Sequence, residues 1–299
     1  MCERYKDRLT FLINMKVVAV NALFKNSESF IVQHLIPSLA ACEEYSKGLA
    51  FEYYFLENDS TDNTRKVLQD FVETRTGKVF TLDNVESAVY VKDAVTYERV
   101  SHFVKLRNYL LQHTRERLSQ VDYVVIMDAD TLFFENTLDK LIEVLNENSD
   151  IVMVSPYQLE YTNKRKMSKI INVSSLGDID DNAVFSVGHN YDTYALQYKE
   201  DDCISWPFCR FKRCSLCCSR LVERLQEQQF IEVKACFNGI AVLRGEAYKH
   251  ATLEYETLNI MGRVIALCEH VLFCNKLRTL TGKKIVIAHD IIIKAITAE

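Results

Sequence analysis

A chain of 299 residues that is 48% hydrophobic and 26% charged can bury a sizeable core, as one large domain or two fused halves, and is too apolar to be disordered. Its net charge of -5 excludes the broadly basic surface on which general nucleic-acid or anionic-membrane binding depends. No apolar run approaches the ~20 residues of a membrane span, and an amino terminus carrying Glu3, Arg4, Lys6, Asp7 and Arg8 is unlike a signal peptide, so a soluble, cytoplasmic protein is expected.

Residues 1–14 read as an extension, and Val17–Val20 as the first buried strand. Asn21 to Ser27 is polar and leads into a helix with Phe30, Ile31, Leu35, Ile36 and Leu39 on one face and a kink at Pro37. Phe51–Leu56 is a second strand, followed by a helix capped by Ser60 with Val67, Leu68, Phe71 and Val72 on one side. Lys78–Leu82 is a short third strand. A long helix is expected from Tyr97 to Leu118, and Val121–Met127, apolar on both faces except at Asp122, reads as the central strand. A helix at Leu138–Leu145 and a strand at Ile151–Ser155 complete a β-α-β-α series, which implies a largely parallel sheet.

Residues 156–220 are polar, rich in Tyr and Cys, and weakly periodic, as suits a substrate-shaping region. Ala241–Leu243, a helix near Arg263–Leu277 and a strand at Lys284–Ala288 restore regularity. Five of the ten cysteines, Cys203, Cys209, Cys214, Cys217 and Cys218, crowd into the irregular stretch. Cys214 and Cys217 have zinc-ribbon spacing, but a second such pair with its Gly-rich knuckle is absent, and the cysteines read as reduced thiols.

Asp128-Ala129-Asp130 stands at the carboxyl end of the central strand, where open α/β sheets place their ligands. Two carboxylates two residues apart in extended backbone project to one side and can share a hard divalent cation, which would neutralise a diphosphate leaving group. Asp178-Ile179-Asp180 repeats the pattern without a strand leading directly into it. Arg107 falls in the middle of an apolar helical stripe of Val100, Phe103, Val104, Leu110 and Leu111. A guanidinium there needs a phosphate, a carboxylate of the Asp pair or Glu57 as partner, and a purely architectural ion pair satisfies the same requirement. The polar run Glu57 to Thr64 follows the second strand; turn and cap chemistry accounts for Ser60 and Asp62 but not for Glu57, which could accept hydrogen bonds from a base or ribose.

"ENDSTDNT", "RVSHFVKLRNYLL" and "DYVVIMDAD", in that order, resemble the nucleotide-binding half of the GT-A glycosyltransferases, nearest the fungal capsule-associated and α-mannosyltransferase-like branch. "YDTYAL", "CFNGIAVLR", "CEHVLF" and "GKKIVIAHD" resemble the acceptor half of the same group, so that the likeness covers roughly residues 16–293. It implies an α/β, Rossmann-like GT-A domain with a mixed, mostly parallel sheet flanked by helices, whose residues 15–155 bind the nucleotide sugar and 156–299 the acceptor. It also implies transfer of a sugar from a GDP- or UDP-sugar to a hydroxyl of a glycan or glycoconjugate, with Mn2+ or Mg2+ as cofactor. On this likeness Asp128 and Asp130 hold the metal and Glu57 lies against the base. Arg99, Lys105, Arg107 and Asn108 support the diphosphate or the Asp pair, and Asn21, Asp59 and Ala129 complete the donor site. Glu269 matches an acidic catalytic residue of inverting members, though His270 follows where a second acid is common. Asp192 and Asn238-Gly239 fall on the acceptor side. His270 or His289 could complete the metal site, His289 being preferred because it follows a strand.

"VVIMDADTLF" also resembles the signature of haloacid-dehalogenase phosphohydrolases, with Asp128 as nucleophile and Asp130 as acid. That signature normally opens its domain, whereas two strand–helix units precede it here. A non-catalytic nucleotide-sugar-binding relative is the other alternative.

Overall fold

The computed structural model describes residues 15–85, 96–160, 194–198, 229–259 and 266–295. Strands β1 (Lys16–Phe24), β2 (Leu49–Asn58) and β3 (Thr76–Leu82) are parallel neighbours, and β4 (Tyr123–Asp128) lies parallel to β1 on its other side. Next come β5 (Thr131–Leu132), β6 (Ile151–Glu160), β7 (Gln197–Tyr198), β8 (Phe230–Ala235), β9 (Ile240–Arg244) and β10 (Lys284–Ala295). They form one sheet in the order β3-β2-β1-β4-β9-β6-β10-β8-β7, with β5 pairing off that path to β10. β9 is antiparallel to both β4 and β6, so β4 and β6 run in the same direction on either side of it, and β10 continues parallel to β6. The sheet is therefore mixed and mostly parallel in direction, as expected, and it draws strands from both halves of the chain.

Period-2 alternation sorts the core into two layers. Val18, Val20, Ala22, Phe55, Val125 and Met127 face the layer built by α1 (Ile36–Tyr45), α2 (Thr64–Glu73) and α4 (Thr137–Glu147). Ala19, Tyr54, Leu56, Val124 and Ile126 face the layer of α3 (Tyr97–Arg115) and α6 (Glu269–Thr281). Asp128 is in step with Val124 and Ile126 and so belongs to the α3/α6 side, whereas Glu57 is in step with Tyr53 and Phe55 and belongs to the α2 side. No helix among the described residues is long and apolar enough to cross a membrane.

Several elements depart from their expected form. The first helix starts with one turn at Glu28–Phe30, widens into a π segment at Ile31–Leu35, and only then becomes α1 with Pro37 in its first turn. The wider turn accommodates a proline that has no N–H to continue the α ladder. Ser60 does not cap α2: its hydroxyl accepts from Asn26 N at 3.0 Å, while Asp62 Oδ1 accepts from Thr64 N at 3.0 Å. The long helix ends at Arg115 and passes into a 3-10 turn at Arg117–Gln120, and β6 and β10 run well beyond their expected ends. β8 lies in a stretch whose alternation, with Ile231, Val233 and Ala235 buried, was legible and was not read as a strand. Residues 1–14, the Asp178–Asp180 repeat and the Cys203–Cys218 cluster lie outside the described residues.

A tight backbone junction joins the central strand to the short helix α5 (Gly245–Tyr248). Gly245 N donates to Asp122 O at 2.7 Å, and a Cβ added at Gly245 would lie 2.1 Å from Val121 O, a backbone atom with no room to retreat. Gly245→Ala is expected to cost about 1–3 kcal/mol through forced backbone displacement. A thermal melt showing a midpoint within a degree of wild type would remove this constraint from the account.

Candidate functional site

A buried cation, Arg107, organises the carboxyl edge of β4. Arg107, 7% exposed, donates from Nε to Glu269 Oε1 at 3.0 Å and from a terminal nitrogen to Asp128 Oδ1 at 3.1 Å. Burial alone would lower its pKa; the Asp128 and Glu269 carboxylates outweigh that and raise it, so the guanidinium stays charged. Phe237 and Tyr255 wall it in, with ring centroids 5.3 and 5.8 Å from Cζ. Asn108, one residue along α3, locks Tyr255 by a reciprocal pair of bonds: its Nδ2 donates to Tyr255 O at 2.8 Å and its Oδ1 accepts from Tyr255 N at 2.7 Å. Asn108 thus holds the wall of the arginine pocket.

Glu269 is the first residue of α6, where the helix dipole favours a carboxylate. His270 follows it, 3% exposed and stacked on Phe237 at 3.8 Å with 8° between the planes. Its Nε2 lies 3.6 Å from Glu269 Oε1 and makes no hydrogen bond among the described residues. Burial, then the charge of Arg107, pushes its pKa well below the usual value, so the ring is neutral. This aromatic packing is what occupies the histidine that sequence reading weighed as a ligand.

Asp128 and Asp130 flank the turn at the strand end. The Asp128 side chain is 42% exposed, and its backbone N–H donates to Gly239 O at 2.8 Å. Thr131 Oγ1 donates to the same carbonyl at 3.0 Å. Gly239 and Asn238 both take positive φ, 73° and 55°, in the turn between β8 and β9, and Asn238 Nδ2 is buried against Pro156 O at 2.7 Å. The Asn-Gly turn therefore acts as a buttress beneath the Asp pair rather than as an exposed contact. Solvent reaches Asp130, yet the surrounding protein displaces enough water to raise its pKa. Among the described residues no three His, Cys, Asp or Glu side chains are arranged so that they could hold a metal ion between them. Two carboxylates at a strand edge nevertheless fit a hard cation of the Mg2+ or Mn2+ type, which takes its other ligands from phosphate and water. The backbone of His289 lies in a bulge of β10 between Ala288 and Ile292, and the end of that strand pairs with β5 directly after Asp130. Its side chain, and all of Asp192, lie outside the described residues.

None of the remaining expected donor residues bonds to Arg107. Glu57 is fully buried on the α2 side, accepting from Ser60 N at 2.7 Å and from Arg65 Nε at 2.5 Å, and Arg65 continues to Asp83. Glu57 is accordingly not the partner of Arg107. Asp59, at φ 50°, accepts from the backbone of Asn84 and Val85 at 2.7 and 3.1 Å and ties the β2 and β3 loops together. Asn21, 2% exposed, donates to the Tyr248 hydroxyl at 2.9 Å. Arg99 and Lys105 are on α3; Arg99 lies 5.7 Å from the Phe103 ring centroid and Lys105 is exposed. Ala129 is half-buried between the two aspartates. Sequence reading missed Arg65, whose signal was a strand-end acid with a cation eight residues on. It also missed Asn58, which follows Leu56 on the Asp128 side of the sheet, is 3% exposed, and has an Nδ2 without a partner among the described residues.

The family model described as Cryptococcal mannosyltransferase 1 matches residues 20–276. This chain belongs to that family of glycosyltransferases. No curated protein sequence matches it significantly. Solved structures similar to this Cryptococcal mannosyltransferase 1 family member share its GT-A fold. They include S. aureus TarS (15% identity, 95% of this chain and 37% of TarS, TM-score 0.51) and S. aureus TarS 1-349 in complex with UDP (15%, 95% and 61%, TM-score 0.50). Mannosyltransferase PcManGT from Pyrobaculum calidifontis, in complex with GDP-Man and Mn2+, aligns at 14% identity over 94% of this chain and 57% of its own, with TM-score 0.49. The chain thus spans between 37% and 61% of the length of these structures. Family membership sets aside the phosphohydrolase reading of Asp128.

Arg65 carries a structural role that can be tested directly. Arg65→Met leaves the buried Glu57 carboxylate with only the Ser60 amide, and is expected to cost about 1–3 kcal/mol, less than the roughly 3–5 for a fully buried pair because Arg65 itself reaches solvent. Chemical denaturation should show this loss at pH 7, and an unchanged midpoint would mean that Glu57 is satisfied without the cation.

Proposed function

We propose that the protein transfers a sugar from a nucleotide-diphosphate sugar to a hydroxyl of a glycan or glycoconjugate, with a divalent cation at Asp128 and Asp130. The observation that carries the reading is the Asp-Ala-Asp turn at the end of β4, backed by a buried, charged Arg107 whose fork reaches Asp128. Bound there, Mn2+ or Mg2+ would supply charge neutralisation for the departing diphosphate. The chain's own part is to hold the two carboxylates at the sheet edge and to keep water from the ion pair beneath them. His289 is proposed as a further ligand, on the strength of the β5–β10 pairing that joins its strand to the residues after Asp130.

The donor end of this proposal uses the edge formed by β1, β2 and α3, including Asn21, Glu57, Asp59, Arg99 and Lys105. Glu57 and Asp59 would then act through the loops they fix, since their carboxylate oxygens already accept from protein groups. TarS 1-349 binds UDP on the same fold, which supports a nucleoside diphosphate here; the family description favours mannose, and with it GDP. Residues 156–299, with Asp192, would present the acceptor. Among the described residues Cys42, Cys236, Cys268 and Cys274 are buried in the core, where cysteine serves as a small apolar side chain, and this suits a reducing, cytoplasmic setting. The resemblance assigns Glu269 to proton removal from the acceptor. Its 8% exposed side chain and its bond to Arg107 favour a supporting role instead.

The deciding experiment is transfer from GDP-mannose and from UDP-sugars with Mn2+, for wild type, Asp128→Asn and Asp130→Asn. Each variant should stay folded and lose at least about 100-fold in rate, as expected when several kcal/mol of metal assistance is removed. Wild-type protein that binds nucleotide sugar yet turns over no donor would identify a non-catalytic relative.

A further inference from the structure

Two carboxylates from distant parts of the chain share one edge of the Arg107 guanidinium, and they differ sharply in environment. Asp128 ends β4 and is 42% exposed at the side chain; Glu269 starts α6 and is 8% exposed. The guanidinium is planar, so its Nε–H and the terminal N–H on that edge form a rigid fork whose two bonds cannot be aimed independently. With Phe237 and Tyr255 on its faces, His270 stacked on Phe237, and Asn108 locking Tyr255, the fork has little freedom once Glu269 is in place.

From this asymmetry we infer that Glu269 is a positioning residue: it anchors Arg107 from the buried side, and Arg107 in turn sets the orientation in which Asp128 meets the cation. The inference rests on the reading of Asp128 as a metal ligand. Glu269 then touches neither the acceptor nor the reacting atoms. Its charge matters because it gives Arg107 a second counter-ion. Without it the whole positive charge is drawn to Asp128, and the carboxylate offered to the metal is partly neutralised and turned inward. Metal ligands elsewhere are oriented by hydrogen-bonded outer partners in the same way.

The test measures Mn2+ affinity by the EPR signal of free Mn2+, with UDP or GDP present and no turnover. Glu269→Gln keeps the shape and an acceptor for Arg107 Nε but removes the charge, and Arg107→Lys keeps the charge but removes the fork. Each should weaken Mn2+ binding about 10- to 100-fold, and the double variant should cost no more than either alone, because the two residues act as one unit. Melting temperatures of the same variants separate this from simple loss of fold. Glu269→Gln with wild-type Mn2+ affinity but failed sugar transfer overturns the inference in favour of a general base. Wild-type affinity in both single variants overturns it in favour of a purely architectural ion pair. Wild-type protein that binds no Mn2+ with either nucleotide overturns the metal reading and this inference with it.

Discussion

The cost of burying one positive charge shapes the centre of this molecule. A guanidinium under a sheet must be paired, because breaking such a pair leaves an uncompensated charge worth roughly 3–5 kcal/mol. Arg107 is paired twice, and the two carboxylates belong to β4 and α6, so its requirement brings together α3, the strand end that carries the Asp pair, and a helix from the far end of the chain. Replacing such a cluster by apolar side chains could preserve stability, so stability alone does not explain its presence. The presence of a half-exposed carboxylate at one end of the cluster does.

A second constraint is polar satisfaction in the loops at the carboxyl ends of β1 and β2. The loops after β1 and β2 exchange bonds in both directions. Thr61 N and Asn63 N donate to Asn26 Oδ1 and Glu28 Oε2, while Asn26, Ser27 and Glu28 donate through their backbone to Ser60, Thr64 and Asp62. Side chains thereby stand in for the secondary-structure partners that loop amides lack. Ser60, Thr61, Asp62, Asn63 and Thr64 are all engaged in this clasp, which fixes the shape of the rim.

The antiparallel β9 makes the mixed sheet and the site compatible. It reaches β4 by the Asn238-Gly239 turn, and the same turn places a carbonyl where the Asp128 amide and the Thr131 hydroxyl both donate. Two consecutive residues at positive φ are needed for this, which the pair Asn-Gly provides at little steric cost. The Asp pair is thus fixed at the backbone from one side and at the Asp128 side chain by Arg107 from the other.

Local pattern was enough for much of this. The apolar runs of β1, β2 and β4, the helical stripe of α3 and the Asp pair at a strand end could all be read directly, because burial on one face imposes a period that sequence displays. Arg107 was legible as a buried cation for the same reason. Of its two partners, Asp128 was among the candidates; Glu269, 162 positions away, was not, and Glu57, the other acid considered, alternates to the opposite face of the sheet. Ser60 and Asp62 likewise looked like a simple helix cap until the facing loop supplied their partners. Sequence by itself determined the elements, the family resemblance and the need for counter-charges, whereas only the tertiary structure decided which charges meet, because pairing depends on strand order and helix placement that no local period encodes.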